Sequence, residues 1–372
     1  MRILVLPSWY PTKENPVYGA FFAEQAEALS RYGHDVSVLA VRGDAHGKSF
    51  VEEGRRGGVR EFILHVEPVR FHLTFFRTAA MIRRLFSEKF RGSLPEIVHV
   101  HSFGAIPYAR YIKLRWGIPF VVTEHVSWFE RGLLTKKDLR RIRSDYAAAS
   151  AVIAVSGGLR DQIAPLCRGE VLVVPNLVGE RFFEGEPAAR DRKDGEFRYI
   201  SVGSLDKNKG MDAVLEAFAG ASAARAELRL TICGDGPERD ALRLQAEKLG
   251  IADRTVFTGR VDPNEVPGLL RESDAFVLAS RVETFGIVLA EAMACGLPII
   301  MTKTSAWREL ADDSTGIAVD VDDIPALSEA MERMASEDRY DPERIRAYCR
   351  ARFSGETVCR RLTQIYREVL RR

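Results

Sequence analysis

Residues 280–298 read SRVETFGIVLAEAMACGLP. Directly before them, Ala275–Leu278 is short and apolar, as a strand buried on both faces is. Ser280–Phe285 then reads as a loop, and Gly286–Ala294 as a helix closed by Gly296 and Pro298. A strand that runs through a short loop into an apolar helix is half of a βαβ unit. Ligands of such units bind beyond the carboxyl ends of the strands. Two carboxylates fall here. Glu291 lies mid-helix, where the apolar neighbours predict burial, and a buried carboxylate needs hydrogen-bond donors. Sugar hydroxyls would serve; the competing reading pairs it with a core Arg. Glu283 lies eight residues earlier, near the helix N-terminus. There the amides of Gly286, Ile287 and Val288 and the positive dipole end make a place for a diphosphate. The plain alternative is that Glu283 is a solvated loop residue.

Outward from this unit the same alternation continues. Apolar runs occur at Ile3–Leu6, Val36–Val41, Ile97–Val100, Phe120–Thr123, Ala151–Val155 and Val171–Val174. They resume at Tyr199–Val202, Leu228–Ile232, Thr255–Thr258, Ala275–Leu278, Pro298–Met301 and Gly316–Val319. Helical stretches separate them, so the chain reads as two doubly wound, Rossmann-like α/β domains with parallel sheets. The predicted boundaries are 1–176 and 197–354. Residues 177–196, rich in Glu, Gly, Pro and Arg, are read as a linker, and 355–372 as a C-terminal helix packing back on the first domain. The expected site is a cleft between the domains.

Three further segments end strands. In YISVGSLDKNKGM (199–211), Lys207 and Lys209 can neutralise phosphate, although two surface lysines at a turn are common. In LTICGDGPERDAL (230–242), Gly234 and Gly236 lack the full spacing of a dinucleotide fingerprint, and a tight turn is the plainer reading. In FVVTEHVSWFE (120–130), His125 follows a strand and can face the ligand end. His99 and His101 share one strand face but have no third ligand for a metal. Asp320-Val321-Asp322 has the D-x-D form of a metal motif but precedes a helix, where Asp residues cap and turn the chain. Neither a G-x-S-x-G elbow nor a P-loop motif occurs.

The chain has 372 residues, 46% hydrophobic and 28% charged, which is ordinary globular composition. No apolar run approaches the roughly 20 residues of a membrane span, and the start, MRILVLPSWYP, reads as a buried strand rather than a signal peptide. Five scattered cysteines give neither a disulfide framework nor a zinc pattern, so a reducing, cytoplasmic location is expected. Residues 1–180 carry 25 Lys and Arg against 18 Asp and Glu, while the rest carry 29 against 34. The basic half suggests an anionic partner.

Taken together, these segments resemble retaining glycosyltransferases of family 4, which have the GT-B fold. The likeness rests on GAFFAEQAEALSRYGHDVSVL (19–39), IVHVHSFG (97–104), PFVVTEH (119–125), ASAVIAVSGGLRDQI (149–163), VLVVPN (171–176), VGSLDKNKG (202–210), ICGDGPERDAL (232–242), VFTGRV (256–261) and the Glu283–Glu291 element. The opening LPSWYPTKENPVYGAFFAEQ is similar to enzymes of bacterial surface-polysaccharide assembly. The resemblance implies transfer of a sugar, with retention, from a nucleotide diphosphate donor held by the second domain to an acceptor held by the first. It implies that Glu291 binds the ribose, Glu283 the donor sugar, and the amides from Phe285 to Val288 sugar and phosphate. It places Lys209 on the diphosphate, Gly236 in the donor site, Arg260 and Val261 beside the base, Gly19 near phosphate or sugar, and His125 on the sugar at the reaction centre. No cofactor and no metal are implied. One position departs from the family: Ser204 stands where an Arg is usual, and Lys207 is the candidate to replace its charge.

Residues 71–92, FHLTFFRTAAMIRRLFSEKFRG, mix aromatic and basic side chains. They read as an amphipathic helix for an anionic membrane surface, or as a core-facing helix with a solvated basic face. The partners expected are thus a nucleotide sugar, a saccharide or lipid-linked acceptor, and an anionic inner membrane face; nucleic acid is disfavoured. The alternatives are a sugar-nucleotide epimerase of the same fold and a catalytically silent sugar-nucleotide-binding protein.

Overall fold

The computed structural model describes residues 1–12, 15–43, 47, 49–68, 71–188, 195–223 and 225–372. They form two compact units, one of residues 1–155, 159–177 and 355–372, the other of residues 156–158 and 178–354.

The first unit runs β1 (Arg2–Pro7), α1 (Ala20–Arg31), β2 (Asp35–Gly43), β3 (Phe50–Arg56), β4 (Val59–Val66), α2 (Phe71–Lys89), β5 (Ile97–His101), α3 (Ile106–Trp116), β6 (Phe120–Glu124), α4 (Lys136–Ala148), β7 (Ala151–Ala154), α5 (Gly157–Ile163) and β8 (Val171–Val173). Its sheet has the order β3-β4-β2-β1-β5-β6-β7-β8. All neighbours are parallel except β3 and β4. That hairpin carries the exposed edge strand and is absent from the sequence reading. Its signal is Gly57-Gly58, both left-handed (φ 52° and 85°), the pair a tight two-residue turn favours.

The second unit runs β9 (Phe197–Val202), α6 (Met211–Ser222), β10 (Leu228–Cys233), α7 (Arg239–Lys248), β11 (Thr255–Gly259), α8 (Val266–Arg271), β12 (Ala275–Leu278), α9 (Ile287–Ala294), β13 (Ile299–Thr302), α10 (Trp307–Leu310), β14 (Gly316–Val319), α11 (Ile324–Ser336) and α12 (Pro342–Phe353). Its sheet is parallel throughout, in the order β11-β10-β9-β12-β13-β14. Each apolar run of the sequence lies in a strand or runs at most one residue past it, because strands covered by helices on both faces are built mainly of apolar side chains. In each sheet the winding reverses once, at β1/β5 and at β9/β12. Crevices for ligands open at such reversals.

The last helix, α13 (Gly355–Leu370), belongs to the first unit. Val358, Cys359, Leu362, Ile365, Tyr366 and Val369 recur at helical spacing and join the core formed by α1 and β1. Burying each large one is worth up to about 1.5–3 kcal/mol. Residues 177–196 are not a free linker. Val178 pairs with Ser354, Phe182 and Phe183 are buried, and the Ala188 amide donates to Cys295 O at 2.9 Å. The apolar Phe182-Phe183 pair anchors a segment whose other residues suggested solvent. Residues 189–194 of it lie outside the described residues. No helix among the described residues is long and apolar enough to cross a membrane.

Candidate functional site

Loops after β9 and β12 flank the reversal of the second sheet. In the first loop Asp206 accepts the Asn208 amide at 2.9 Å and the Ser204 hydroxyl at 2.6 Å, closing one turn. The loop then crosses Ala279 so closely that a Cβ on Gly210 (φ 65°) would stand 2.0 Å from Ala279 O. Only glycine fits there. Asn208 fastens the two loops. Its Nδ2 donates to Val282 O at 2.9 Å and its carbonyl accepts the Arg281 amide at 2.8 Å. The result is an ion pair across the reversal: Lys209 Nζ lies 2.5 Å from Glu283 Oε2, both largely shielded. Lys207 is exposed, and Ser204 spends its hydroxyl on Asp206.

Sequence reasoning missed Arg281. Its guanidinium meets both oxygens of Asp212 (3.1 and 2.9 Å), Asp322 Oδ1 (3.0 Å) and the Lys207 carbonyl at 2.5 Å. Burial opposes ionisation of Asp212, but the bonds from Arg281 outweigh it and hold that carboxyl below its usual range. This clamp fixes the lysine-bearing loop. It also occupies Asp322 of the D-x-D triplet, whose Asp320 meets Lys303 at 3.0 Å, while Asp323 caps α11. Among the described residues no group of His, Cys, Asp and Glu could hold a metal.

Gly286, left-handed at φ 77°, caps α9. A Cβ there would stand 3.1 Å from Glu283 Cγ, so the stem of Glu283 rests on the start of the helix. The helix is buried on every side but one. Ile287, Val288 and Glu291 form a half-exposed stripe, the spacing of one helix face. The buried Glu291 read from the sequence is therefore corrected. A run of apolar residues does not reveal which face a helix leaves uncovered. Phe285 is wholly buried against Phe353, so only its backbone can face a ligand. Gly236 serves packing, since a Cβ would stand 2.4 Å from Leu205 O. Exposed Arg260 and half-buried Val261 follow the edge strand β11, two strands from β9.

In the first unit Gly19 (φ 79°) caps α1, with its Cα hydrogens against Trp9. Phe21 and Phe22, next in α1, lie 5.3 and 5.0 Å from the His125 ring. The fold thus brings Gly19 and His125 to one end of the sheet. His125 is buried, with Nε2 3.0 Å from His101 Nδ1. Burial, with His99 nearby, pushes its pKa down to about 3, against an opposing hydrogen bond to Asn176. The ring is therefore uncharged at neutral pH. Glu124, also missed, builds this corner. Its carboxylate accepts the amides of Phe103 (3.0 Å), His125 (2.9 Å) and Val126 (3.2 Å) and the Tyr146 hydroxyl (2.8 Å). Burial raises its pKa, and those bonds resist the rise. The Asp/Glu-to-amide pattern has no spacing signature, so sequence could not mark it.

Residues 19–180 match the family described as Glycosyltransferase Family 4, and residues 183–352 match Glycosyl transferases group 1. Among the relatives is a D-inositol 3-phosphate glycosyltransferase of Segniliparus rotundus, 30% identical over 325 residues, covering 79% of this chain and 70% of that one. A glycogen synthase of Mycobacterium tuberculosis is 27% identical over 394 residues, covering 98% and 94%. The structure of Anabaena HepE in complex with UDP and glucose superposes with a TM-score of 0.77 at 17% identity, covering 99% and 100%. At that identity the likeness is one of fold, the GT-B arrangement of two parallel-sheet α/β units.

Proposed function

The chain belongs to glycosyltransferase family 4, and from that premise we propose that it moves a hexose from a nucleotide-diphosphate sugar to an acceptor hydroxyl, with retention and without a metal or other cofactor. The acceptor is a saccharide or lipid-linked saccharide of surface-polysaccharide synthesis. The single observation that carries the reading is the Lys209–Glu283 pair at the start of α9. A diphosphate arriving at the helix amides from Gly286 to Val288 competes for the ammonium of Lys209 with two charges against one. Glu283, released, turns to the donor sugar, and Glu291 on the open stripe of α9 takes the ribose hydroxyls. Ser204 and Gly236 shape the donor loops. Arg260 and Val261 offer backbone groups to the base. Gly19 and His125 serve the phosphate and the sugar in the first unit.

The acceptor O–H attacks the anomeric carbon from the side on which the sugar–phosphate bond breaks. The departing phosphate oxygen takes the acceptor's proton as the new glycosidic bond forms. Lys209 and the helix dipole hold the charge that develops on the leaving group. His125, neutral and enclosed, contributes a fixed contact rather than a proton.

Thermal shift with UDP, GDP and ADP tests the donor site. A nucleotide at 100 times its Kd stabilises by about 2.7 kcal/mol, and Lys209→Ala should abolish the shift. Product NMR then reads the anomeric configuration, and undiminished turnover in EDTA reads metal independence. Conversion of the nucleotide sugar without any acceptor would establish the epimerase instead, and binding without turnover the silent protein. The relatives named above are a transferase and a synthase, which favours transfer.

A further inference from the structure

At the end of the first sheet away from Gly19 and His125, α2 and α3 come to their last turns. Each helix runs back from the ligand end to the start of the next strand, β5 at Ile97 and β6 at Phe120. Those strands are five residues long, roughly 16 Å, and that length separates the two ends. Between the last turns lies a cavity of about 340 Å³, at the lower end of the roughly 300–1,000 Å³ of small-ligand sites. Its floor is aromatic: Phe86 and Phe90 are buried, and half-buried Trp116 stacks on Phe86 with ring centroids 4.2 Å apart. Its rim is cationic: Arg83 of α2, Arg91 just beyond α2 and Arg115 of α3 line it, all three exposed. The chain that closes it is held in place, since Gly92 turns at φ 82° and Arg2 Nε donates to Leu94 O at 2.7 Å.

These arginines differ from the other cations of α2. Arg77, Arg84 and Lys89 each meet a carboxylate. Among the described residues, Arg83, Arg91 and Arg115 meet no carboxylate and donate no hydrogen bond; Arg115 has a ring contact, its guanidinium carbon 5.7 Å from the centre of Trp116. The plain reading of a basic residue at a helix end is that it meets the negative end of the dipole, an effect that falls off within the last turn. It covers Arg115, in the last turn of α3, and not Arg83, six residues before the end of α2. Three like charges around one concavity repel, and an anion among them removes that cost. Guanidinium forks match phosphate oxygens two donors to two acceptors. A phosphate monoester also brings about −1.5 to −2 charges, against one on a carboxylate.

We infer that this cavity is a second phosphate-binding site, which takes a phosphate monoester on Arg83, Arg91 and Arg115 and the ester's apolar body on Phe86, Phe90 and Trp116. It shares no residue with the donor loops, so it stands or falls apart from the proposed transfer reaction. Soluble phosphate esters and the headgroup of phosphatidic acid both carry this chemistry.

The test uses the full chain carrying Lys209→Ala, so that the donor site holds no phosphate, and labelled with ¹⁵N-tryptophan. Trp116→Phe identifies the indole signal of Trp116. Phenyl phosphate should move that signal saturably, and orthophosphate should do so more weakly. The triple variant Arg83→Gln, Arg91→Gln, Arg115→Gln should bind phenyl phosphate at least about tenfold more weakly, as loss of hydrogen bonds between charged groups predicts. A control triple variant, Lys136→Gln, Lys137→Gln, Arg140→Gln, removes the same formal charge from exposed positions of α4 and should bind like its parent. Vesicles of phosphatidylcholine with and without phosphatidic acid separate the sources. A headgroup ligand pellets the parent and the control only when phosphatidic acid is present, and leaves the cavity variant in the supernatant. A soluble ester moves Trp116 while every chain stays in the supernatant. Either result supports the site. The inference is overturned if the two triple variants behave alike in both assays, or if the parent shows neither a Trp116 shift nor pelleting. If the cavity variant does not fold, Arg83→Gln alone makes the comparison, and parental affinity there overturns the inference. A chain that binds phenyl phosphate here and, with Lys209 restored, transfers no sugar defeats the proposed function and leaves this site standing.

Discussion

At Lys209 a residue common at surface turns acquires a partner 74 positions away, and the partner gives it meaning. Lys207 in the same turn is exposed. The two separate experimentally. Lys209→Ala should abolish nucleotide binding. Lys207→Ala should weaken it about tenfold if Lys207 replaces the charge that Ser204 lacks, as one hydrogen bond to a charged group is worth about 1.5–3 kcal/mol. Titration of each variant with UDP, GDP and ADP decides; Lys207→Ala with wild-type affinity discards the compensation. Glu291→Gln should cost affinity on the same scale. Gly210→Ala is the opposite case. It forces a side chain to within 2.0 Å of Ala279 O at a left-handed φ, so it should destabilise by about 1–3 kcal/mol or more, read as a lower urea midpoint.

Among the elements, α2 answers the membrane question in part. Thr78, Ala79, Ile82, Leu85, Phe86 and Phe90 on and just after it are buried, so this face belongs to the core. Its basic side is partly neutralised: Arg77 meets Glu67, Arg84 meets Glu88 and Lys89 meets Glu53. Phe76 and Leu73 remain 65% and 46% exposed. An anionic surface would therefore meet two apolar side chains and a thinner field than the composition suggests. Pelleting with anionic vesicles that fails with zwitterionic ones and reverses in salt is the expected outcome. Equal recovery in both supernatants discards the membrane partner. Reading α2 as helical and amphipathic needed only its spacing. Distinguishing its core face from a membrane face required knowing what lay beneath it. The hairpin β3–β4 was legible at Gly57-Gly58 yet its polar strand FVEEGRR carries little apolar signal, because an edge strand faces water.

For the molecule as a whole, the buried histidines predict how stability follows pH. His99 and His125 are pushed down to about 3, and His101 lies well below its ordinary value, all by burial. The unfolded chain takes up these protons below about pH 6.5 and the folded chain does not. Their contribution is thus complete above that pH and is lost as pH falls toward 3, by up to about 1.4 kcal/mol per pH unit for each histidine. Glu124, raised by burial, opposes this just above its ordinary pKa. The urea midpoint should be lower at pH 5.5 than at 7.5, and His101→Asn should reduce the difference. Equal midpoints would mean that the histidines titrate in the folded state.

The sequence by itself determined the alternation of strands and helices, the parallel course of both sheets apart from the β3–β4 hairpin, the glycine-bounded loops and the family. Each of these is carried by spacing within one element, where apolar period and turn chemistry act over a few residues. Only the tertiary structure decided that Glu291 stands on an open stripe, that Arg281 clamps the lysine loop, and that Tyr366 reaches His99 across 267 positions. Such meetings depend on which strands lie side by side and on which helix face stays uncovered. The free energy that selects them comes from burial summed over a whole unit, and no local stretch of residues carries that sum.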